Sequence, residues 1–320
     1  MNRDAPNEAT VAARDCWFLV GPTASGKTPI GIELAQRIGA EIVSLDSMAV
    51  YRGMDIGTAK PSPALRQVIP HHLIDIANPD EDFSVHDYVQ AAERTVGEIT
   101  DRGREVLFVG GTPLYLKALL RGFADGPTAD WSFRQAVEEE LRTVGQQALH
   151  ERLALVDPLA ASRLHPNDTR RLIRALEFYR ATGTPISHAQ MQFDEGGTAS
   201  QYRVFVVDRP REIVHQRIEA RVAAMFDAGL VEEVRGLTGG GQAIGRTASQ
   251  AVGYREVLEH LAGHCDMEEV VRRVRTRTRR FAKRQRTWYR SLSECRSVAV
   301  ADDEAPQVTA GRVETMARCV

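Results

Sequence analysis

The sequence predicts an α/β fold: a P-loop parallel-sheet core interrupted by an all-helical insertion domain. Three observations predict it. Short apolar runs alternate with helical periodicities at both ends of the chain, as in a parallel sheet covered on both faces. One such run, Cys16-Trp-Phe-Leu-Val20, stops at a glycine-rich loop that opens a helix. From Asp130 to about Thr182 every periodic segment is helical and no strand pattern is visible. The core is therefore expected at 16–124 and 198–320, with the insertion at 125–197.

The elements follow in order. Residues 1–15 (MNRDAPNEATVAARD) are polar, lack the apolar run of a signal peptide, and are expected to be disordered. After the first strand, Pro29 to Arg37 reads as a helix with Ile30, Leu34 and Ile38 on one side. Glu41 to Leu45 is a second strand ending at Asp46-Ser47. A long polar connection leads to a helix from Tyr88 to Asp101, with Val89, Ala92, Val96 and Ile99 on one face. Glu105 to Val109 is a buried-type strand, followed at once by Gly110-Gly111-Thr112. The pattern changes near Gly122, and Gly196-Gly197-Thr198 closes the helical stretch. Strand character returns at Arg203 to Val207, followed by two helices and a last strand near Ser297 to Val300.

Composition narrows the class. At 320 residues, 43% hydrophobic and 26% charged, the chain is that of a globular protein of the cytoplasm. No run approaches the roughly 18 apolar residues of a membrane helix. Cys16, Cys265, Cys295 and Cys319 are far apart and form no Cys-x-x-Cys pair, so reduced thiols are expected. The net charge of −2 conceals a polarised distribution. Between Val270 and Ser293 there is no acid, but Arg272, Arg273, Arg275, Arg277, Arg279, Arg280, Lys283, Arg284, Arg286 and Arg290 all fall there. As a helix, this segment repeats Val274, Phe281 and Trp288 every seven residues, a stripe for the core. An ordinary solvated helix intersperses acids, so their absence points to nucleic-acid backbone.

Gly21-Pro-Thr-Ala-Ser-Gly26-Lys27-Thr28 fits the P-loop pattern G-x-x-x-x-G-K-[ST]. Such a loop turns backbone N–H groups and a helix N-terminus toward a diphosphate. Lys27 adds a point charge, and Thr28 offers a hydroxyl to Mg2+. The usual owners are ATPases, GTPases and kinases, which hold their metal with an acid at a strand end. Here the strand Val106 to Val109 ends in Gly110-Gly111, and Asp75 is a weak substitute. Asp46 follows the second strand and so shares the carboxyl edge of the sheet with the P-loop, where ligands bind. Taken alone, an Asp there is as readily a turn or cap residue as a catalyst. Arg217 and Arg221 are four apart and share a helix face, toward a phosphate or toward an exposed ion pair. His71 and His72, adjacent on an extended segment, point to opposite sides and read as structural.

The P-loop, Ser44-Leu-Asp-Ser47, Tyr51-Arg-Gly-Met-Asp-Ile-Gly-Thr-Ala-Lys-Pro61, Pro70-His-His-Leu-Ile-Asp-Ile76, Gly110-Gly-Thr112 with Leu114-Tyr115, Asn167-Asp168 before Arg174-Ala-Leu-Glu177, and Ala282-Lys-Arg-Gln-Arg-Thr-Trp288 occur in that order. Together they closely resemble the bacterial tRNA dimethylallyltransferases, from about residue 16 to residue 290. The resemblance implies transfer of a dimethylallyl group from dimethylallyl diphosphate to N6 of adenosine 37, beside the anticodon of a tRNA. Pyrophosphate is then a leaving group, which accounts for a P-loop without hydrolytic equipment. By resemblance, Gly21, Pro22, Thr23, Ala24, Ser25, Gly26, Lys27 and Thr28 hold the diphosphate, chiefly through the amides of Ala24 to Thr28. Asp46 accepts the proton of the attacking amine, and Arg217 reaches the pyrophosphate. Asp46, Ser47, Met48, Ala49 and Thr112 lie at base contacts. Arg170, Arg171, Leu172, Ile173 and Arg174 match a tRNA-contact segment of the insertion, with Arg134 beside them. Binding of the anticodon stem-loop is implied; separately, the lack of an evident apolar surface stripe makes a monomer the expected state. Ala49 stands where many members have Gln, and Pro113 where Gly is frequent. The competing readings are an enzyme that prenylates free AMP or ATP, a small-metabolite kinase and a non-catalytic RNA-binding protein.

Overall fold

The computed structural model describes residues 11–122, 126–189, 196–239 and 243–318. Its strands are β1 Trp17–Val20, β2 Ala40–Leu45, β3 His71–His72, β4 Glu105–Gly110, β5 Arg203–Asp208 and β6 Cys295–Ala299. All pair in parallel in one sheet, ordered β3-β2-β4-β1-β5-β6. Every residue of β1 and β2 is buried, because crossover helices cover both faces. The two-residue β3 is an edge strand too short to leave a pattern in sequence.

The core helices before the insertion are α1 Val11–Asp15, α2 Lys27–Ile38, α3 Pro63–Val68, α4 Val85–Asp101 and α5 Pro113–Arg121. On one sheet face Phe18, Val20, Val43, Leu45 and Phe108 pack with Tyr88, Ala92, Tyr115 and Leu116 of α4 and α5. α4 starts at a capping box, Ser84 and Asp87 each bonding the other's backbone N–H. Residues 11–15 were expected to be disordered; instead they form α1, because Ala13 is buried in the same cluster as Cys16, Ala92 and Val96. The expectation for residues 1–10 lies outside the described residues. On the opposite face Leu19, Ile42, Leu107 and Phe205 pack with Ile30 and Leu34 of α2.

The chain forms two compact units, 1–120 with 196–320, and 121–195. The second contains α6 Trp131–Val156, interrupted at Gly145, with α7 Pro158–Arg163, α8 Thr169–Thr182 and α9 Ile186–Ala189. Phe133, Val137, Leu149, Leu153, Leu172, Ile173 and Leu176 give it a core of its own. After β5 the first unit continues with α10 Arg211–Asp227, α11 Leu230–Thr238, α12 Tyr254–Leu261 and α13 Met267–Arg290, and after β6 with α14 Pro306–Ala317. That is more helix than the two expected between β5 and the last strand. A third cluster unites α10 to α13 with Val50, Tyr51 and Met54. No helix among the described residues is long and apolar enough to cross a membrane.

Candidate active site

Four strand ends set the frame. Leu45 and Val20 both pair with Gly110, and Val20 pairs with Val206. The loops after β1, β2, β4 and β5 therefore leave the sheet side by side, at the edge where parallel sheets bind ligands.

The loop 21–28 joins β1 to α2. Ala24 and Gly26 adopt positive φ, 63° and 84°, which turns successive amides inward. Two of its amides are already engaged. Thr23 N donates to Gln285 Oε1 at 2.8 Å, and Ser25 N to the Pro22 carbonyl at 3.2 Å. The expected set, Ala24 to Thr28, therefore loses Ser25. Gly26, Lys27 and Thr28 stand at the N-cap and first two positions of α2, where the helix itself supplies no acceptor.

Cations gather around this loop. Lys27 Nζ donates to the Pro22 carbonyl at 3.3 Å. Burial and then the nearby Arg221 guanidinium lower its pKa to about 8, against the opposing pull of Asp46. Arg221 Nη1 donates to Thr23 Oγ1 at 3.1 Å. A Cβ on Gly26 would stand 3.2 Å from Arg217 Nη2, and Arg217 Nη1 lies 3.4 Å from Asp302 Oδ1. So Arg217 and Arg221 turn one helix face to the loop. Arg209, which sequence reasoning missed, is buried just after β5; its Nε donates to the Ser25 carbonyl at 2.8 Å and its Nη1 to that of Ala301. Its only signal was a position just beyond a strand end. Cations this close disfavour one another's charge, and an anion at the loop would relieve that cost.

Asp46 opens the turn after β2. Its Oδ1 accepts from Met48 N at 2.9 Å and Ala49 N at 3.3 Å, as in an Asx turn. Among the described residues Oδ2 has no hydrogen-bond partner. The adjacent turn is tied on from β4: Gly111 N and Thr112 N donate to the Leu45 carbonyl, and Ser47 N donates to Thr112 Oγ1 at 3.0 Å. Met48 and Ala49 are largely occupied by packing and turn contacts. At the end of β4 no acid can stand, since a Cβ on Gly110 would lie 2.1 Å from the Leu45 carbonyl oxygen. Asp75 does not replace it. Burial raises its pKa, but bonds from Lys60 at 2.6 Å and Arg66 at 2.7 Å outweigh that and hold the carboxyl below its usual value.

The Tyr51–Pro61 segment is braced from behind. Lys60 also donates to Asp55 at 2.7 Å and to the Tyr51 carbonyl at 2.5 Å. Glu233 of α11 accepts from Asp55 N and Ile56 N at 3.0 and 2.7 Å.

Several expected RNA contacts are corrected. Arg134 forks onto buried Glu177 at 2.8 and 2.7 Å, and Arg174 bonds Glu177 at 2.5 Å and the Pro127 carbonyl at 3.1 Å. Both guanidiniums are committed inside the helical unit. Leu172 and Ile173 are 0% and 3% exposed in its core, so they cannot face RNA. Five consecutive helical residues cannot share one face, and only Arg170 and Arg171 of that run are exposed.

The basic helix α13 is corrected as well. Acids outside the 270–293 run pair with it, most of them from other elements. Glu219 of α10 holds Arg275 and Arg279, Glu256 and Glu259 of α12 hold Arg277 and Arg273, Asp208 of β5 holds Arg286, and Glu269 in its own first turn holds Arg272 and Arg273. Arg280, Lys283 and Arg284 are exposed and, among the described residues, have no acidic partner. Spaced three and four apart, they share one face. The buried stripe is Val270, Val274, Thr278, Ala282, Gln285 and Tyr289, whereas Phe281 and Trp288 are half-buried.

His72 Nε2 lies 2.6 Å from Glu41 Oε2, and His71 Nδ1 lies 2.7 Å from the Ile69 carbonyl, both structural contacts. Among the described residues no group of three or more His, Cys, Asp or Glu could hold a metal ion. Cys16, Cys265 and Cys295 are unbridged; Cys319 lies outside the described residues.

A parallel sheet with a P-loop-type turn, a ring of cations and an unspent carboxylate, on a chain that carries an inserted helical unit, defines a P-loop α/β class with an anion site at the sheet edge. The curated relatives narrow that class. A tRNA dimethylallyltransferase of Rhodopirellula baltica is 50% identical over 92% of this chain and 91% of its own length. A tRNA dimethylallyltransferase 2 of Geotalea uraniireducens is 48% identical over 85% and 88%. The solved tRNA isopentenylpyrophosphate transferase of Bacillus halodurans superposes with a TM-score of 0.70 at 37% identity, covering 96% of each chain. A eukaryotic dimethylallyltransferase solved acting on tRNA gives 0.74 at 26% identity, over 93% of this chain and 76% of that one. The chain belongs to the IPP transferase family, whose profile matches residues 49–292.

Proposed function

We propose that this chain transfers a dimethylallyl group from dimethylallyl diphosphate to N6 of adenosine 37 in tRNA, releasing pyrophosphate. The observation that carries the reading is the meeting, at one sheet edge, of a cation-ringed anion loop with Asp46, whose Oδ2 is free among the described residues. The adenine N6 attacks C1 of the allyl group, the C1–O bond breaks, and its electron pair leaves on the diphosphate. The amides of Gly26 to Thr28, with Lys27 and Arg217, hold that departing charge. Asp46 takes the proton that N6 sheds, which matters because an adenine amine is a poor nucleophile. Thr28 would hold a Mg2+ ion that screens the diphosphate. The Thr28 hydroxyl, in the first turn of α2, is a hard oxygen donor of the kind Mg2+ takes beside phosphate oxygens and water.

RNA backbone is met on the helical unit by exposed Arg170 and by Arg171, which shares its exposed guanidinium with Asp168 at 3.3 Å, and on the core unit by Arg280, Lys283 and Arg284. Such contacts place the RNA, while the target base must leave its stack to reach Asp46. The substrate puts the enzyme in the cytoplasm. One chain supplies the loop, Asp46 and Arg217, so a monomer suffices.

The test is transfer of radiolabelled dimethylallyl diphosphate to unmodified tRNA, with an A37→G tRNA and free AMP alongside. Label on tRNA that is lost with A37→G and absent from AMP is the expected outcome. Label on AMP alone would make the acceptor a free nucleotide, and no transfer to either would overturn the reading.

A further inference from the structure

Gln285 is buried and bonds two unlike partners, neither of them on its own helix. It lies on the inner face of α13, 3% exposed. Its Oε1 accepts from the Thr23 N–H at 2.8 Å, and its Nε2 donates to the Gly111 carbonyl. Each partner leads further. Thr23 Oγ1 accepts from Arg221 Nη1 at 3.1 Å. The turn at Gly111 carries Thr112, whose Oγ1 accepts from Ser47 N at 3.0 Å, next to Asp46 in the chain. One carboxamide thus closes a path of hydrogen bonds and adjoining backbone from the phosphate loop to the turn beside the carboxylate. The fit is close, since a Cβ on Gly111 would stand 2.7 Å from Gln285 Nε2 and 3.5 Å from Lys27 Nζ.

Anchoring α13 to the sheet does not call for such a group. Tyr289 already packs in the sheet-face cluster, Val270, Val274 and Ala282 hold the helix in the third cluster, and Arg286 pairs with Asp208 at 3.0 Å. An amide that spends its acceptor on one active-site loop and its donor on another holds the two at a set spacing. An apolar side chain has neither bond to give, and Asn is one methylene too short to span the same gap from the same backbone.

We propose that Gln285 is a positioning residue that sets the separation between the departing diphosphate and Asp46. The attacking amine, C1 and the leaving oxygen then fall in line. This rests on the transfer reading above. Gln285 acts through Thr23 and Gly111 and touches no reacting atom, so its loss should leave each half-site able to bind while misaligning them. A misplacement of about 1 Å costs on the order of 100-fold in rate.

The experiment measures single-turnover transfer at saturating donor and tRNA, with titrations of pyrophosphate and of tRNA, on wild type, Gln285→Met, Gln285→Glu and Gly111→Ala. Gln285→Met keeps the length and loses both bonds. Gln285→Glu keeps the volume and the Thr23 bond but sets a carboxylate against the Gly111 carbonyl. Gly111→Ala displaces Nε2 from the other side and carries the test if a Gln285 variant does not fold. The expected result is a fall of about 100-fold in the single-turnover rate with both affinities within threefold of wild type. A saturated rate within threefold of wild type would overturn the proposal. So would a rate that falls only in proportion to lost folded protein, which would make Gln285 a helix anchor. Wild-type transfer keeps the two readings apart: active variants beside an active wild type overturn the role of Gln285 alone, and an inactive wild type overturns both.

Discussion

Asp46 spends one carboxylate oxygen on the turn that begins at it and keeps the other free among the described residues. The turn role and the proposed base role do not compete for the same atom: the Asx bonds take Oδ1 and fix the carboxylate, and Oδ2 is the oxygen that the proposed transfer would use. Asp46→Asn keeps Oδ1 as an acceptor but removes the negative charge and turns the basic Oδ2 into an amide donor. Its single-turnover rate should fall about 10²- to 10⁴-fold with tRNA affinity within a few-fold of wild type, and near-normal turnover would refute the assignment. Lys27 makes a second prediction at this scale. Its pKa is depressed to about 8, so below pH 8 the ammonium is present for the donor, and above it the charge is lost from the free enzyme. The donor's diphosphate is already ionised there, its last pKa being about 6. Donor kcat/KM should then be level up to about pH 8 as far as Lys27 is concerned and decline above it, and Lys27→Met should abolish that decline. For stability the sign is opposite. The unfolded chain holds this proton up to about pH 10.5, so between 8 and 10.5 the folded state gains relative stability as pH rises.

The helix α13 shows what a linear reading of charge omits. A run of arginines without acids looks unpaired along the chain, yet helix packing brings Glu219, Glu256, Glu259 and Asp208 to it from α10, α12 and β5. The exposed face without an acidic partner among the described residues is narrower, Arg280, Lys283 and Arg284, and it is the one proposed for RNA. Replacing these three by Gln should reduce the slope of log K against log salt for tRNA binding by about 2 to 3, at 0.7–0.9 per phosphate contact. Replacing Arg275 and Arg279, which already share Glu219, should change it by less than half as much. Equal changes from both sets would return the whole helix to the RNA surface. The same omission explains the other misses. The arginines at 134 and 174 are basic in sequence but both bound to the one carboxylate of Glu177 in space, and Arg209 and Gln285 act on loops far from them in the chain.

Across the whole molecule, the legible parts were those encoded locally. The strand–loop–helix around 21–28, the alternation that makes a parallel sheet and the change to purely helical spacing after Gly122 each lie within a short window. The two-residue β3 and the packing of α10 to α13 depend on distant partners and left no comparable trace. The helical unit tests how far its basic residues are structural. Glu177 is 2% exposed and receives both Arg134 and Arg174 together with Asp130 N. Burial alone would raise its pKa, but these bonds outweigh it and keep it ionised below the usual value. Glu177→Ala would leave two guanidiniums without a counter-charge and the start of α6 without its acceptor. The expected cost is about 3 kcal/mol, the lower end for a broken buried pair, because both arginines keep some solvent contact. Limited proteolysis should then cut within 121–195 at lower denaturant than in wild type, while pyrophosphate affinity stays within twofold. If Arg134 and Arg174 served RNA instead, Glu177→Ala would leave the proteolytic midpoint unchanged and strengthen tRNA binding by releasing two cations.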